Sequence, residues 1–223
     1  MMELKEIEKS YRKNSVLNGA DMILDDGECV GIVGANGVGK STLLKIVVGA
    51  LKADGGIIYL DGAPATPELL REKTGYIPQE NPLFEELTVK DNLELWYKGD
   101  RERIREELQF GILKQFGIHE FYRKPVKKLS GGMKKRLSIC CTLAEDPDIL
   151  VMDEPGATLD LSAKKMILDT IREFTQTGRS VMITSHEAPE LLICDRVYGM
   201  KNGIMTQLKE EINSNSLQQW MES

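Results

Sequence analysis

The stretch from Ile32 to Thr42, IVGANGVGKST, constrains the fold of this chain more than any other. It contains the pattern Gly-x-x-x-x-Gly-Lys-Ser, with an apolar run before it and the apolar run Leu43–Val48 after it. A buried strand, a glycine-rich turn and a helix in this order are typical of a phosphate-binding loop. Glycines let successive N–H groups point at phosphate oxygens, and the helix adds the positive end of its dipole. The sequence therefore predicts a nucleotide site at the end of a buried strand.

The polar residues of this loop have separate expected roles. Lys40 would contact the β- and γ-phosphates, and the Ser41 hydroxyl would ligate Mg²⁺. A turn that carries Lys-Ser by chance is the alternative, which the flanking strand and helix make rare. The residues of the loop predicted to bind nucleotide are Asn36, Gly37, Gly39, Lys40, Ser41 and Thr42.

Composition favours a globular protein without a nucleic-acid partner. The chain has 223 residues, of which 41% are hydrophobic and 29% charged, and its net charge is −6. A nucleic-acid-binding surface usually needs a concentration of basic residues, which this balance disfavours. The four cysteines have apolar neighbours and no C-x-x-C spacing, so we expect reduced, mostly buried thiols. Because no apolar run approaches the length that spans a bilayer, we expect a cytoplasmic protein whose spanning segments, if it serves a membrane, belong to another chain.

The order of apolar patterns predicts strands that alternate with helices. Period-two alternation over 4–9, the segment 20–24 before the turn Asp25-Asp26-Gly27, and Ile57–Leu60 before Asp61-Gly62 indicate strands near the start. Helical spacing predicts helices over 88–117, from 131 towards 145, over 162–175 and over 209–221. Further predicted strands cover 75–79, 148–154 and 180–185, with a closing hairpin over 196–205. We therefore predict an α/β fold with a parallel sheet and a neighbouring antiparallel lobe.

Two carboxylates, Asp153 and Glu154, end a predicted buried strand. Parallel strands deliver their carboxyl ends to the ligand edge of the sheet, so both side chains would face the phosphates. Asp153 suits a residue that holds Mg²⁺, directly or through water, and Glu154 suits a general base that positions the attacking water. Strand-end acids that merely face solvent are the alternative.

Six motifs in order give the chain a resemblance to the ATPase subunits of ABC transporters. They are Gly34–Thr42, Gln79, Leu129-Ser130-Gly131-Gly132, Ile149–Glu154, Leu159-Asp160 and His186. The resemblance implies a P-loop NTPase with a RecA-like parallel core, an antiparallel β lobe and a helical lobe, all in one domain over 1–223. The core and the β lobe would cover about 1–80 and 146–223, and the helical lobe about 81–145. It also implies ATP and Mg²⁺ as ligands.

The same resemblance implies that the active site is completed by a second copy. An ATP-dependent head-to-tail dimer, of two identical chains or of this chain with a paralogue, would place Ser130, Gly131 and Gly132 against the ATP of the partner. Asp160 would cross the interface, although a helix N-cap role is the alternative for this residue.

Four more roles follow from the resemblance. Tyr11 would stack on adenine, with local packing of a strand-end tyrosine as the alternative, and Val16 would line the same base. Gln79 would contact Mg²⁺ or the attacking water and sense the membrane partner. His186 would contact the γ-phosphate and orient Glu154. His119 is expected to be an ordinary surface residue.

Two positions depart from the family pattern. Met133 stands where the family usually has Gln, so it can neither complete a capping box nor hydrogen-bond the opposite nucleotide. The segment Gly156-Ala157-Thr158 stands where the family more often has Ser or Asn and a Gly. We expect a modest loss in dimer closure from the first departure and an altered interface loop from the second.

These observations predict an ATPase subunit that powers a separate membrane-spanning permease from the inner face of the cell membrane. The short segment between Gln79 and Ser130 resembles that of small bacterial exporters. The alternative is a soluble ABC ATPase that acts in cluster assembly, translation or repair. A GTPase switch is disfavoured because the chain has no Asn-Lys-x-Asp motif.

Overall fold

The computed structural model describes residues 1–157 and 159–208, and its strands form two sheets. The antiparallel sheet contains β1 (Met2–Tyr11), β2 (Asn14–Leu24), β4 (Gly55–Leu60) and β5 (Ala63–Pro64). The second sheet contains β3 (Cys29–Val33), β6 (Thr74–Ile77), β7 (Ile149–Asp153), β8 (Ser180–Thr184), β9 (Arg196–Lys201) and β10 (Ile204–Gln207). The strand orders are β2-β1-β4-β5 and β10-β9-β3-β8-β7-β6, so the predicted α/β architecture with an antiparallel lobe is confirmed.

The helices lie between and after the strands. They are α1 (Lys40–Val47), α2 (Pro67–Lys73), α3 (Val89–Trp96), α4 (Arg101–Gln109), α5 (Ile112–Gln115), α6 (Gly131–Leu143), α7 (Leu161–Gln176) and α8 (Ala188–Leu191). Short 3₁₀ turns cover Ile118–Glu120 and Val126–Lys128. The predicted helix over 209–221 lies outside the described residues.

The second sheet is buried on both faces, which accounts for its continuous apolar strands. Strands β9, β3, β8, β7 and β6 run parallel, and β10 pairs antiparallel with β9. On one face, Val30 and Ile32 pack with α1 and with the antiparallel sheet. On the other face, Leu150 and Ile183 pack with the helices between α3 and α7. Parallel sheets covered in this way read as unbroken apolar runs, and their carboxyl ends meet at one edge.

Two predicted elements differ from the structure in extent. The strand predicted over 20–24 begins at Asn14, because β2 pairs with β1 up to Tyr11↔Asn14 through a tight turn. The polar residues at the start of β2 hid this pairing, since asparagine is depleted in strands. The helix predicted over 88–117 is three helices. Gly99 has φ of 82° and Asp100 caps α4, so the chain turns where the apolar spacing alone suggested continuity.

The four cysteines are free thiols, as predicted. Cys29 is buried at the start of β3, its Sγ lies 3.5 Å from the Sγ of Cys194, and Cys194 is partly buried. Cys140 and Cys141 are buried within α6. Burial raises the pKa of the Cys140 thiol, so it remains protonated at neutral pH. Within the described ranges, every helix is too short or too polar to cross a bilayer.

Candidate nucleotide-binding and catalytic site

A cavity of about 400 Å³ opens at the carboxyl end of β3, where the glycine-rich loop leads into α1. Its lining residues are Val16, Asn36, Gly37, Gly39, Lys40, Ser41, Thr42, Gln79 and Glu154. Gly37 and Gly39 have φ of 79° and 120°, a region that side chains with a Cβ rarely adopt. A Cβ on Gly39 would also lie 2.9 Å from the Cγ1 of Val16, so the close approach of the loop to β2 requires glycine.

Lys40 is the first residue of α1, and its ammonium is held inside the loop. Nζ donates to the backbone oxygens of Gly34 at 2.6 Å and Ala35 at 3.2 Å, and it lies 3.0 Å from Nε2 of His186. Burial lowers the pKa of Lys40, while the carboxylates of Glu154 and Asp153 act in the opposite direction. The loop therefore presents a confined ammonium beside the backbone cradle, as binding of β- and γ-phosphates requires.

The two carboxylates at the end of β7 point to different partners. Asp153 Oδ1 accepts a hydrogen bond from Thr184 Oγ1 at 2.7 Å, and Oδ2 accepts one from the Tyr76 hydroxyl at 3.4 Å. Burial and the charge of Asp153 raise the pKa of that hydroxyl, so Tyr76 keeps its proton and donates this hydrogen bond at neutral pH. Glu154 adopts φ of 46°, and its backbone N–H donates to the Thr184 backbone oxygen at 3.0 Å. This left-handed turn directs the Glu154 side chain into the cavity while Asp153 stays buried.

His186 and Gln79 both contact Glu154. His186 Nε2 lies 3.2 Å from Glu154 Oε1, and Gln79 Nε2 donates to Glu154 Oε2 at 3.3 Å. Burial and the positive charge of Lys40 lower the pKa of His186, against the opposing effect of Glu154, so the imidazole is neutral at pH 7. The structure thus brings together Lys40, Gln79, Glu154 and His186, whose predicted catalytic roles all concern the phosphates or the attacking water.

The residues at the cavity fit MgATP. The open loop, the glycines and Lys40 match a polyphosphate, because Gly37, Gly39 and the Lys40 ammonium all line the cavity. Ser41, Gln79 and Asp153, which were predicted as metal ligands, offer only oxygen donors. Such a set suits Mg²⁺, which takes one or two protein oxygens and completes its shell with phosphates and water.

Tyr11 and the motif at the start of α6 lie apart from the residues that line this cavity. Tyr11 ends β1 with 48% of its surface exposed, near Val16 in sequence, and Lys9 Nζ lies 5.9 Å from its ring centre. Ser130 caps α6 by accepting from the Met133 N–H at 3.3 Å. Gly131 is exposed and Gly132 partly so, which leaves the N-terminus of α6 open to a ligand from outside.

Asp160 caps α7, since its Oδ1 accepts from the Ala163 N–H at 2.9 Å. The structure therefore shows the helix N-cap contact that was stated above as the alternative for Asp160. Asp160 also lies beside the α6 motif, because a Cβ on Gly132 would be 3.9 Å from its Oδ2. His119 is exposed, in agreement with its prediction as a surface residue.

The structure shows what the two departures from the family pattern do locally. Met133 supplies the backbone N–H that Ser130 accepts, so the cap is half of a capping box. At Gly156, a Cβ would lie 2.0 Å from Oε1 of Glu190, whose other oxygen accepts from the Ser185 hydroxyl. Glycine at 156 therefore makes room for a buried carboxylate. Thr158 lies outside the described residues.

Three residues that support the site, Thr184, Tyr76 and Lys135, belong to none of the motifs predicted from the sequence. Thr184 could have been found from its place at the end of a buried strand, beside Asp153 in the register of β7 and β8. Lys135 is only 4% exposed, and its Nζ donates to the Pro78 backbone oxygen at 3.0 Å. Burial lowers the pKa of Lys135 to about 8. Within a charged helical stretch, nothing in the sequence marks this lysine as buried.

Comparisons with known proteins agree with this geometry. A family model described as ABC transporter matches residues 17–157. The linearmycin resistance ATP-binding protein LnrL of Bacillus subtilis (strain 168) is 33% identical over 214 residues, which are 92% of this chain and 68% of that protein. Nod factor export ATP-binding protein I of Sinorhizobium fredii (strain NBRC 101917 / NGR234) is 34% identical over 207 residues, 91% of this chain but only 60% of that protein.

Among solved structures, the dimeric ATP-binding cassette MJ0796 in a post-hydrolysis state with ADP and Pi has a TM-score of 0.84 and 25% identity. The match covers 96% of this chain and 100% of that one. The family model matches more than half of the chain, and the first of these relatives is 33% identical over most of both chains. The chain therefore belongs to the ABC transporter family, as an ATP-binding and ATP-hydrolysing subunit with the P-loop NTPase fold.

Proposed function

We propose that this subunit powers export by a separate membrane-spanning permease, from the cytoplasmic face of the membrane. The proposal that this chain hydrolyses ATP at this site rests on one observation. Glu154, beside the phosphate-binding loop, contacts Lys40, Gln79 and His186. The direction of transport is supported by the relatives, whose names refer to Nod factor export and linearmycin resistance. The whole chain, 1–223, acts in this proposal as one ATPase domain with the lobe boundaries predicted above.

In the proposed reaction, Glu154 accepts a proton from the water that attacks the γ-phosphate. One of its oxygens lies beside His186 and the other accepts from Gln79, which fixes the direction of the carboxylate. Lys40 exchanges its backbone oxygen partners for the phosphates and stabilises the charge that develops on them. In the tautomer with its proton on Nε2, neutral His186 donates a hydrogen bond to Glu154, and in the other tautomer Nε2 accepts one from Lys40.

Three oxygen donors, Ser41, Gln79 and Asp153, would hold Mg²⁺, which neutralises charge on the β- and γ-phosphates. Thr184 and Tyr76 keep Asp153 buried and oriented by their hydrogen bonds to its two oxygens. In this proposal Asp153 serves the metal, and Glu154 remains available for the water.

The proposed dimer completes each site across two chains, of the same kind or of this chain and a paralogue. Ser130, Gly131 and Gly132 lie at an exposed helix N-terminus, where backbone N–H groups can bind an anion brought by the partner. Asp160 lies close to this motif while it caps α7, so both features belong to the same surface. The similarity to a dimeric cassette with ADP and Pi supports this arrangement.

Glu154→Gln tests the assignment of the base. Because the amide keeps the shape but cannot accept the proton, we expect the ATPase rate to fall about 100-fold or more. MgATP should still bind and should hold the variant as a dimer in gel filtration. Glu106→Gln, an exposed carboxylate of α4, is the matched control and should hydrolyse ATP at the wild-type rate. Hydrolysis by Glu154→Gln at a near wild-type rate would remove Glu154 from this role.

A second experiment tests the partner. Affinity purification of the tagged protein from detergent-solubilised membranes should recover an integral membrane protein that changes its ATPase rate. Recovery of ribosomes or DNA-repair complexes, without such a membrane protein, would favour a soluble ABC ATPase instead.

A further inference from the structure

Two adjacent lysines of α6 contact the two ends of the chain segment that follows β6, which we call the Pro78–Glu85 segment. At its start, Lys135 Nζ donates to the Pro78 backbone oxygen at 3.0 Å. At its end, Lys134 Nζ forms an ion pair with Glu85. Gln79, which contacts Glu154, directly follows Pro78. A single helix is thus joined to the residue that holds the proposed base.

The two contacts differ in their surroundings. Lys134 pairs with a carboxylate that is 59% exposed, and such surface pairs contribute little to stability or position. Lys135 is buried, and the carboxylates that attract its ammonium belong to Asp153 on β7 and Glu190 on α8. The ammonium that contacts Pro78 is therefore buried near two carboxylates, whereas the ammonium of Lys134 pairs at the surface.

A buried ammonium carries a large desolvation cost, which an unbranched apolar side chain at the same place would avoid. The oxygen that accepts from Lys135 belongs to the peptide that joins Pro78 to Gln79. Rotation of this peptide would move the Gln79 side chain relative to Glu154. The hydrogen bond from Lys135 restricts that rotation.

We infer that Lys135 is a positioning residue for ATP hydrolysis, which fixes the Pro78 peptide and thereby directs Gln79 towards Glu154. The inference rests on the role proposed above for Gln79. It also makes α6 a link between Ser130, which caps the helix, and Gln79. Lys135 lies about one and a half turns after Ser130, so a displacement of α6 on nucleotide binding at its N-terminus moves Lys135 and, through it, Gln79.

Substitutions at Lys135 separate this role from a merely structural one. Lys135→Met keeps an unbranched chain but removes the donor, and we expect kcat to fall about tenfold while the Kd for MgATP stays within about twofold. Its thermal midpoint should stay close to that of the wild type, since the desolvation cost of the ammonium is removed together with its hydrogen bond to Pro78 and its attraction to Asp153 and Glu190. Lys135→Arg retains a donor and should recover most of kcat. Lys134→Met is the matched control on the same helix and should leave kcat within about twofold.

Three outcomes would overturn the inference. The first is a kcat within twofold of the wild type in Lys135→Met. The second is a kcat loss that comes with a lower thermal midpoint and is not recovered by Lys135→Arg, which would indicate a packing role. The third is an equal kcat loss in Lys134→Met.

Gln79→Ala distinguishes failure of the inference from failure of the proposed function. A lower kcat in Gln79→Ala with an unaffected Lys135→Met would reject the inference alone. A wild-type kcat in Gln79→Ala would reject the proposed role of Gln79 and the inference with it.

Discussion

Among single residues, Tyr11 offers the sharpest test of where adenine binds. Its ring is half-exposed at the end of β1, close in sequence to Val16, which lines the cavity. Tyr11→Ala should weaken ATP binding by about 1 kcal/mol, the size of an aromatic stacking contact. Tyr11→Trp should bind ATP as the wild type does, because stacking needs a ring face and no hydroxyl. Calorimetric titration with ATP measures both, and equal losses in the two variants would place adenine elsewhere.

The buried ammonium of Lys135 leads to a pH-dependent stability. Its pKa in the folded state is about 8, below the usual 10.5, in spite of attraction by Asp153 and Glu190. Below pH 8 both the folded and the unfolded chain carry the proton, so the full cost of burial is present. As the pH rises from 8 to 10.5, the folded chain loses the proton first and this cost disappears.

We therefore expect the stability of Lys135→Met relative to the wild type to be more favourable at pH 7 than at pH 10 by on the order of 1 kcal/mol. Urea unfolding of both proteins at the two pH values measures the difference. Lys134→Met should show no such trend. A difference that is the same at pH 7 and pH 10 would contradict the burial of a charged Lys135.

At the scale of single residues, the order of motifs along the chain identified the residues that surround Glu154. It did not identify the residues that hold these side chains in position. Lys40, Gln79 and His186 belong to motifs whose spacing is visible in the chain, and the structure places all three in contact with Glu154. Lys135 could not be identified in this way. Its burial depends on how α6 packs against Pro78, and a lysine in a helix is solvated in most proteins.

At the scale of elements, local signals mark the ends of several helices. Thr66 before Pro67 is a typical N-cap pair, and the structure shows the Thr66 hydroxyl accepting from the Leu69 N–H. The breaks within 88–117 were missed because apolar residues keep helical spacing across a turn at Gly99. Periodicity reports which side chains face the core, and it does not report whether the backbone between them is continuous.

Asn92 holds the segment before α3 in place. This buried side chain accepts from the Phe84 N–H and donates to the backbone oxygens of Phe84 and Thr88. Asn92→Ala leaves these backbone groups without their partner, so we expect a loss of about 2 kcal/mol in the free energy of unfolding. Asn14→Ala, at the exposed start of β2, is the control and should cost little. Urea unfolding measures both, and equal effects would mean that the Asn92 contacts add nothing.

For the whole molecule, the proposed head-to-tail dimer makes activity depend on association. Ser130 lies outside the set of residues that line the cavity beside Lys40, so in this proposal Ser130 acts on the partner's ATP. Specific activity should rise with protein concentration until the dimer saturates. Measured rates that are independent of concentration would show that each chain works alone.

Mixed variants test the same arrangement. Lys40→Ala removes phosphate binding, and Ser130→Arg blocks the open N-terminus of α6. Each variant should be inactive by itself, but a mixed dimer contains one complete site, so mixing should restore part of the ATPase rate. Thermal midpoints of the separate variants control for unfolding. Absence of recovery between two folded variants would count against the composite site, and Met133→Gln should leave the recovery intact.

The positions of the free thiols have a practical consequence for measuring motion in this protein. Cys140 and Cys141 lie within α6, whereas Cys29 lies at the start of β3 beneath the phosphate-binding loop. A thiol reagent reaches these atoms only when the surrounding structure opens. The modification rates of the two regions, followed by mass spectrometry with and without ATP, would therefore give separate opening free energies for α6 and for the sheet. The cysteines of the sequence can therefore report how nucleotide changes the opening of α6 and of the sheet.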